Sequence, residues 1–333
     1  MQIKKFQAVL KNKGIDTALI LSKDTNFRYF NGFNDFNGVL AISPDNAFIA
    51  TSILDIDVAR AKSRIKRFHA IKKNFFEELK KKIRRKTIGI NKDDMTVNQY
   101  NNLKKHFNGS RFLDISNELN DIRASKTEEE IKTIKKACKI SESILNRLAH
   151  ELNSKKSEED IADFIKNEIK KKYCEEAFST IVATGKNSAK IHHVPTKKKL
   201  NGFTVVDFGL KYKDYCTDIT RTFYIGNPNK KDVHDYMRVF GLFEGINTVD
   251  DIKNIKPLKS QYHASGHSIG LEVHEKPTVS NNKVNIGNNY VLAIELGSYG
   301  KRHGIRIENM LLIKNNKLIN LIKYPKNLRI LRK

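Results

Sequence analysis

Two strongly apolar stretches of this chain each carry an aspartate: TVVDFG, with Asp207, and CTDITRTFYIG, with Asp218. Their β-branched content and short apolar runs predict strands. Period-two geometry puts Val205 and Asp207 on one face of the first strand. A reversal of the chain over 211–214 then lays the second strand beside it and brings Asp218 next to Asp207. Carboxylates held together in apolar surroundings repel unless a proton or a cation lies between them. Farther along come His267 in GHSIGLEVHE, Glu295 in AIELGSY and Glu308 in GIRIEN. Brought together, these five make an oxygen-rich shell with one imidazole, suited to two divalent ions with some carboxylates bridging. No cysteine joins the set, which disfavours a soft-metal centre. Each residue also has an ordinary reading by itself: turn or ion-pair aspartates, solvent-facing strand glutamates, a polar loop histidine.

The patterning changes once along the chain. Ile3, Phe6 and Leu10 recur at helical spacing, with Gly14 placed to end that helix. TALIL (Thr17–Leu21) reads as a buried strand, and Ser43–Asn46 reads as a turn between two more. A helix is predicted over Asn74–Ile83 and a strand over Thr87–Ile90. This α/β unit closes near Asn120, so the expected domains are residues 1–120 and 121–333. The second opens with two helices, the first capped by Thr127 with Glu130 and the second by Ser157 with Asp160. It then turns to strands from Ile181 onward, an α+β pattern.

Composition narrows the function classes. With 39% apolar residues the 333-residue chain is globular rather than disordered. It has no apolar run long enough to span a membrane, and its first residues lack the features of a secretory signal. Three scattered cysteines argue for a reducing compartment, and a cytoplasmic location is expected. The net charge is 62 − 37 = +25. The positive residues are spread over the whole length without a nucleic-acid-binding signature, so no nucleic-acid or membrane partner is expected.

In order along the chain, GIDTALILSKDTNFRYFNGF, IVATGKNSAKIHH, DFGLKYKDYCTDITRTFYIG, HASGHSIGLEVHE, AIELGSY and GIRIEN resemble the pita-bread metallopeptidase family, in its Xaa-Pro dipeptidase (prolidase) and aminopeptidase P branch. The resemblance spans nearly the full chain. It implies a creatinase/prolidase-like α/β N-terminal domain followed by an α+β pita-bread catalytic domain. It also implies five metal ligands: Asp207 on one ion, His267 and Glu295 on the other, and Asp218 and Glu308 bridging. The nucleophile it implies is a metal-bridged water or hydroxide, with Glu295 accepting its proton. His192, His263 and His274 are implied to border the substrate, His274 foremost, and Arg306 to orient Asp207. Cys216, beside Asp218, is read as a packing residue.

The chain departs from the family pattern in three places. Leu296 follows Glu295 where proline is frequent, which removes a fixed φ and would loosen a local turn. Ser268 stands where glycine is frequent, and the interval from Asp218 to His267 is short. The function implied first is hydrolysis of Xaa-Pro dipeptides, with aminopeptidase P action on longer peptides as the alternative. A catalytically inactive peptide-binding or chromatin-associated relative is the third reading. Two divalent ions are expected, Mn2+ or Co2+ before Zn2+ or Fe2+, together with a short proline-containing peptide substrate and a homodimer.

Overall fold

The computed structural model describes residues 2–280 and 284–331. The chain divides into two compact units, 1–123 and 124–333. The first is α/β. Its strands are β1 (Thr17–Leu21), β2 (Gly38–Ser43), β3 (Asn46–Ser52), β4 (Phe68–Ile71), β5 (Thr87–Ile90) and β6 (Arg111–Asp114). They form one sheet in the order β4-β3-β2-β1-β5-β6, with antiparallel pairing only at β1–β2 and β2–β3. The helix Gln2–Asn12 buries Phe6 and Leu10 as the spacing predicts. The helix predicted over Asn74–Ile83 is shorter. It runs over Phe75–Lys80, because Asn74 takes a left-handed φ of 52° and Lys81 N–H donates to Glu78 O in a tightened last turn.

The second unit is α+β. The helix Glu128–Glu151 begins at a capping box made by Thr127 and Glu130, and Glu158–Lys171 begins at one made by Ser157 and Asp160. Ile131, Ile134, Ala137, Ile144 and Leu148 are buried along the first helix, whereas Ile140 is only partly covered. The strands that follow are β7 (Glu175–Glu176), β8 (Ile181–Thr184), β9 (Gly202–Phe208), β10 (Leu210–Tyr212), β11 (Tyr215–Cys216) and β12 (Ile219–Ile225). After the helices Lys230–Glu244 and Val249–Lys253 come β13 (Gly266–Ser268), β14 (Glu275–Val279), β15 (Val291–Tyr299), β16 (Gly304–Lys314), β17 (Lys317–Asn320) and β18 (Arg329–Leu331).

One sheet runs β18-β12-β9-β8, a second β14-β13-β15-β16-β17, and a small third β11-β10-β7. The chain reverses between β10 and β11 through Lys213 and Asp214, both left-handed at φ 47° and 73°. Positive φ at both central residues is what a two-residue hairpin turn requires. Before the hairpin, a Cβ on Gly209 would lie 2.1 Å from Thr217 O, so only glycine fits there. The reversal pairs β12 with β9 antiparallel, with Thr220 opposite Asp207. Asp218 therefore sits one residue before the strand rather than inside it. The two larger sheets meet through Thr222, whose Oγ1 donates to Arg306 O at 2.8 Å and accepts from Arg306 N–H at 3.0 Å. Among the described residues, no helix is long and apolar enough to cross a membrane.

Candidate metal centre

Four strands and the approach to a fifth deliver the donors. Asp207 comes from β9, Asp218 from the approach to β12, His267 from β13, Glu295 from β15 and Glu308 from β16. Glu295 and Glu308 are direct cross-strand partners. Like charges placed opposite each other destabilise a sheet. β13 lies alongside β15 with His267 opposite Ala293. A Cβ on Gly266 would lie 2.4 Å from Ala293 O, so this glycine permits the close approach that carries His267 inward.

Donor atoms of Asp207, Asp218 and Glu308 lie within 4.8 Å of one another, as do those of His267, Glu295 and Glu308, and those of Asp218, His267 and His274. His267 Nε2 is 3.6 Å from Asp218 Oδ2 and 4.0 Å from Glu308 Oε1. All five are brought together, with Glu308 shared between two of the groups. Burial, then the neighbouring carboxylates, raises Asp218 and Glu308 well above the usual carboxylate range. Burial likewise pushes Glu295 up to about 8, with Arg306 opposing and Asp207 adding to it. Burial lowers His267 to about 4, helped by His274, so its ring is neutral and able to coordinate. Asp207 Oδ1 and Asp218 Oδ1 are buried and have no hydrogen-bond partner. Crowded buried carboxylates with unsatisfied oxygens and a neutral imidazole fit hard divalent cations.

Around the donors is a hydrogen-bonded layer. Arg306 Nη2 donates to Asp207 Oδ2 at 2.6 Å, Nη1 to Tyr299 Oη at 3.1 Å and Nε to Thr220 Oγ1 at 3.2 Å. Burial works to lower the Arg306 pKa, but Asp207, Tyr299 and Glu308 outweigh it and hold the guanidinium charged. Thr220 Oγ1 donates onward to Glu308 Oε2 at 2.9 Å. His263 Nδ1 faces Ala264 O at 2.7 Å, and a carbonyl only accepts, so Nδ1 carries the proton. Its Nε2 then accepts from Tyr299 Oη at 2.7 Å. His263 Nδ1 is also 3.4 Å from Glu295 Oε2, and burial lowers the His263 pKa.

The donors line a cavity of about 740 Å³ together with His192, His263 and His274 and an apolar side that includes Phe178, Ile191 and Val273. His192 and His274 are both exposed. Its neighbour His193 is buried instead, with Nε2 2.9 Å from Glu158 Oε2. Glu158 also accepts from Thr184 N–H, Asn187 and Thr196, pinning the loop that carries His192.

Tyr299, Thr220, His193 and Glu158 were not singled out from the residues. Period two offered a signal for one of them: Tyr299 lies four residues beyond Glu295 in β15, so the two share a face. Leu296 corrects the expectation of a loosened turn. It lies inside β15 opposite Ile307 and is buried with Ile294 and Ile307. Cys216 is buried in the core, and burial pushes its thiol up to about 12, which suits packing rather than nucleophilic chemistry.

Residues 132–315 match the model of metallopeptidase family M24, and residues 2–125 match the creatinase/prolidase N-terminal domain. The chain belongs to metallopeptidase family M24. The resemblance drawn from the quoted segments is therefore borne out, as is the pairing of an α/β N-terminal domain with an α+β pita-bread domain. A prolidase from Pyrococcus horikoshii superposes at TM-score 0.88 and 30% identity, over 98% of this chain and 99% of its own. An Xaa-Pro dipeptidase from Bacillus anthracis superposes at TM-score 0.89 and 26% identity, covering 99% of both chains. An X-Pro aminopeptidase from Thermotoga maritima superposes at 0.83 with 28% identity, over 96% of this chain and 98% of its own. The M24 chain described here thus carries a metal-binding cluster of Asp, Glu and His inside a peptidase fold.

Proposed function

We propose that this M24 protein hydrolyses the bond before proline in Xaa-Pro dipeptides, with two divalent ions held by Asp207, Asp218, His267, Glu295 and Glu308. The observation that carries this reading is the convergence of four carboxylates and a neutral imidazole on one cavity wall, with buried carboxylate oxygens left unsatisfied. When bound, such ions supply a Lewis acid for the scissile carbonyl and lower the pKa of water. Asp207 would hold one ion and His267 with Glu295 the other, with Asp218 and Glu308 as donors common to the site. Arg306 and Thr220 keep Asp207 and Glu308 in one orientation each.

The other groups act on substrate and protons. Glu295, 3.4 Å from His263 Nδ1, would accept the proton released from the attacking water. His263, hydrogen-bonded to Tyr299 and with Nδ1 3.4 Å from Glu295, supports that carboxylate from the side. His274 and His192 line the cavity and donate to the substrate's developing oxyanion or hold its termini. Phe178, Ile191 and Val273 offer an apolar side for a pyrrolidine ring.

The likeness to an X-Pro aminopeptidase supports a second reading, removal of the residue before proline from longer peptides. A panel of Xaa-Pro dipeptides, longer Xaa-Pro peptides and matched peptides without proline, assayed in Mn2+, Co2+, Zn2+ and Fe2+, separates the two. Turnover confined to dipeptides supports the first reading, and efficient cleavage of longer peptides replaces it with the second. Full metal loading without cleavage of any peptide overturns both and leaves the inactive peptide-binding alternative. Mn2+ or Co2+ is the proposed activating ion. A cytoplasmic homodimer is part of the same proposal, its assembly state readable by light scattering.

A further inference from the structure

The histidines His267 and His274 stand at the two ends of one loop, and their rings meet edge to face with centroids 4.4 Å apart. The residue after each of them is buried. Ser268 follows His267, and Glu275 follows His274; the two are backbone partners across β13 and β14, and the register shifts between His267 and Ser268. Such an irregularity re-aims side chains next to a site, and it needs something to hold it. Lys126, far away in sequence, places its Nζ 3.0 Å from Glu275 Oε2 and 3.3 Å from Ser268 Oγ. The Lys126 and Glu275 side chains are only 1% and 4% exposed. The second carboxylate oxygen of Glu275 accepts from Leu271 N–H at 3.0 Å and Glu272 N–H at 3.3 Å, closing the intervening loop. A Cβ on Gly270 would lie 2.7 Å from Glu275 Oε2, so the loop wraps tightly around this carboxylate. Lys126 is itself anchored, its backbone N–H donating to Asn289 O at 2.9 Å just before the capped helix at Thr127.

We propose that Lys126 is a positioning residue: a buried cationic clip that joins Ser268 to Glu275 and thereby sets His267 against the metal ligands and His274 against the substrate. Lys126 lines no part of the cavity and is not one of the donors, so it acts only through the residues it ties. A buried ion pair is a weak source of net stability, because desolvation offsets most of the attraction, while loss of one partner strands the other charge. The clip therefore serves geometry more than stability. Ser268 gives the ammonium a second acceptor. The inference rests on the metallopeptidase reading for its kinetic arm but not for its metal-binding arm.

The test uses Lys126→Met, the charge-neutral double variant Lys126→Met/Glu275→Gln, and Ser268→Ala, all in the full chain. The double variant keeps an acceptor for Leu271 N–H and removes both charges, so it folds even if the single variant does not. Mn2+ affinity by calorimetry, kcat and KM on an Xaa-Pro peptide, and Tm are measured for each. The clip predicts that the double variant keeps a near-wild-type Tm, yet binds Mn2+ about tenfold more weakly and loses about tenfold or more in kcat with little change in KM. Ser268→Ala, which deletes one tether, moves both quantities the same way by about threefold, a fraction of that second-sphere effect. A double variant with wild-type Mn2+ affinity and kcat overturns the proposal and reduces the pair to a packing feature. If the wild-type protein cleaves no peptide, the functional reading fails, and unchanged Mn2+ affinity in the variants still sinks the clip by itself.

Discussion

Glu295 and Glu308 face each other across neighbouring strands, and at the residue scale their burial decides how the centre answers to pH. Without metal, Glu295 has its pKa raised from the ordinary 4.5 to about 8. A carboxyl raised in the folded state contributes stability that is whole below its unfolded value and is lost as pH climbs through the folded one. Chelator-treated protein is accordingly expected to lose stability between about pH 4.5 and 8, and Asp218 and Glu308 push the same way. Urea denaturation of metal-free protein at pH 5 and pH 8.5 checks the sign. Adding Mn2+ reverses the trend and releases protons on binding, a release that calorimetry in buffers of different ionisation heat detects. Asp218→Asn removes one negative charge while keeping the shape. It should abolish the metal-induced stabilisation and lower turnover at least about a hundredfold, while the metal-free variant is no less stable than metal-free wild type at pH 8.5. Metal titration and urea melts of both proteins read this out.

At the scale of elements, the strands are devices for bringing distant donors to one place. β13 is only three residues long, and its approach to β15 depends on Gly266 having no side chain. Gly266→Ala puts a methyl group into the Ala293 carbonyl, so one strand must move. The expected cost is about 1–3 kcal/mol in unfolding free energy, together with weaker Mn2+ binding as His267 shifts. A denaturant titration and a metal titration on the same variant test both halves. The hairpin turn at Lys213–Asp214 was readable from its place between two apolar runs. The departure of Leu296 was misread, because a missing proline looks like a looser turn only while its strand is unknown. Once β15 is seen to run unbroken from Val291 to Tyr299, Leu296 is a buried core position.

For the whole molecule, metal and fold are linked. An ion that binds only the folded state stabilises it by about 2.7 kcal/mol at a free concentration a hundred times its Kd. Tm should therefore rise with added Mn2+ and fall with chelator, as calorimetric scans across a metal series would show. The net charge of +25 has no counterpart in the centre, whose donors are acidic or neutral.

The sequence alone pointed, through the resemblance of its ordered segments, to the family that the M24 match bears out, and it offered five candidate donors. An aspartate inside an apolar strand, or a histidine between glycines, is a local oddity that composition and spacing expose. It also determined both capping boxes and most of the N-terminal strands, because capping and alternation depend on residues a few positions apart. Only the tertiary structure decided that Glu295 stands opposite Glu308, that His193 is buried against Glu158 while its neighbour His192 is exposed, and that Lys126 holds the ends of the histidine loop. Those relations depend on strand register and on which of two adjacent side chains points inward. A shift of one residue reverses either, and no local pattern in the chain forbids that shift.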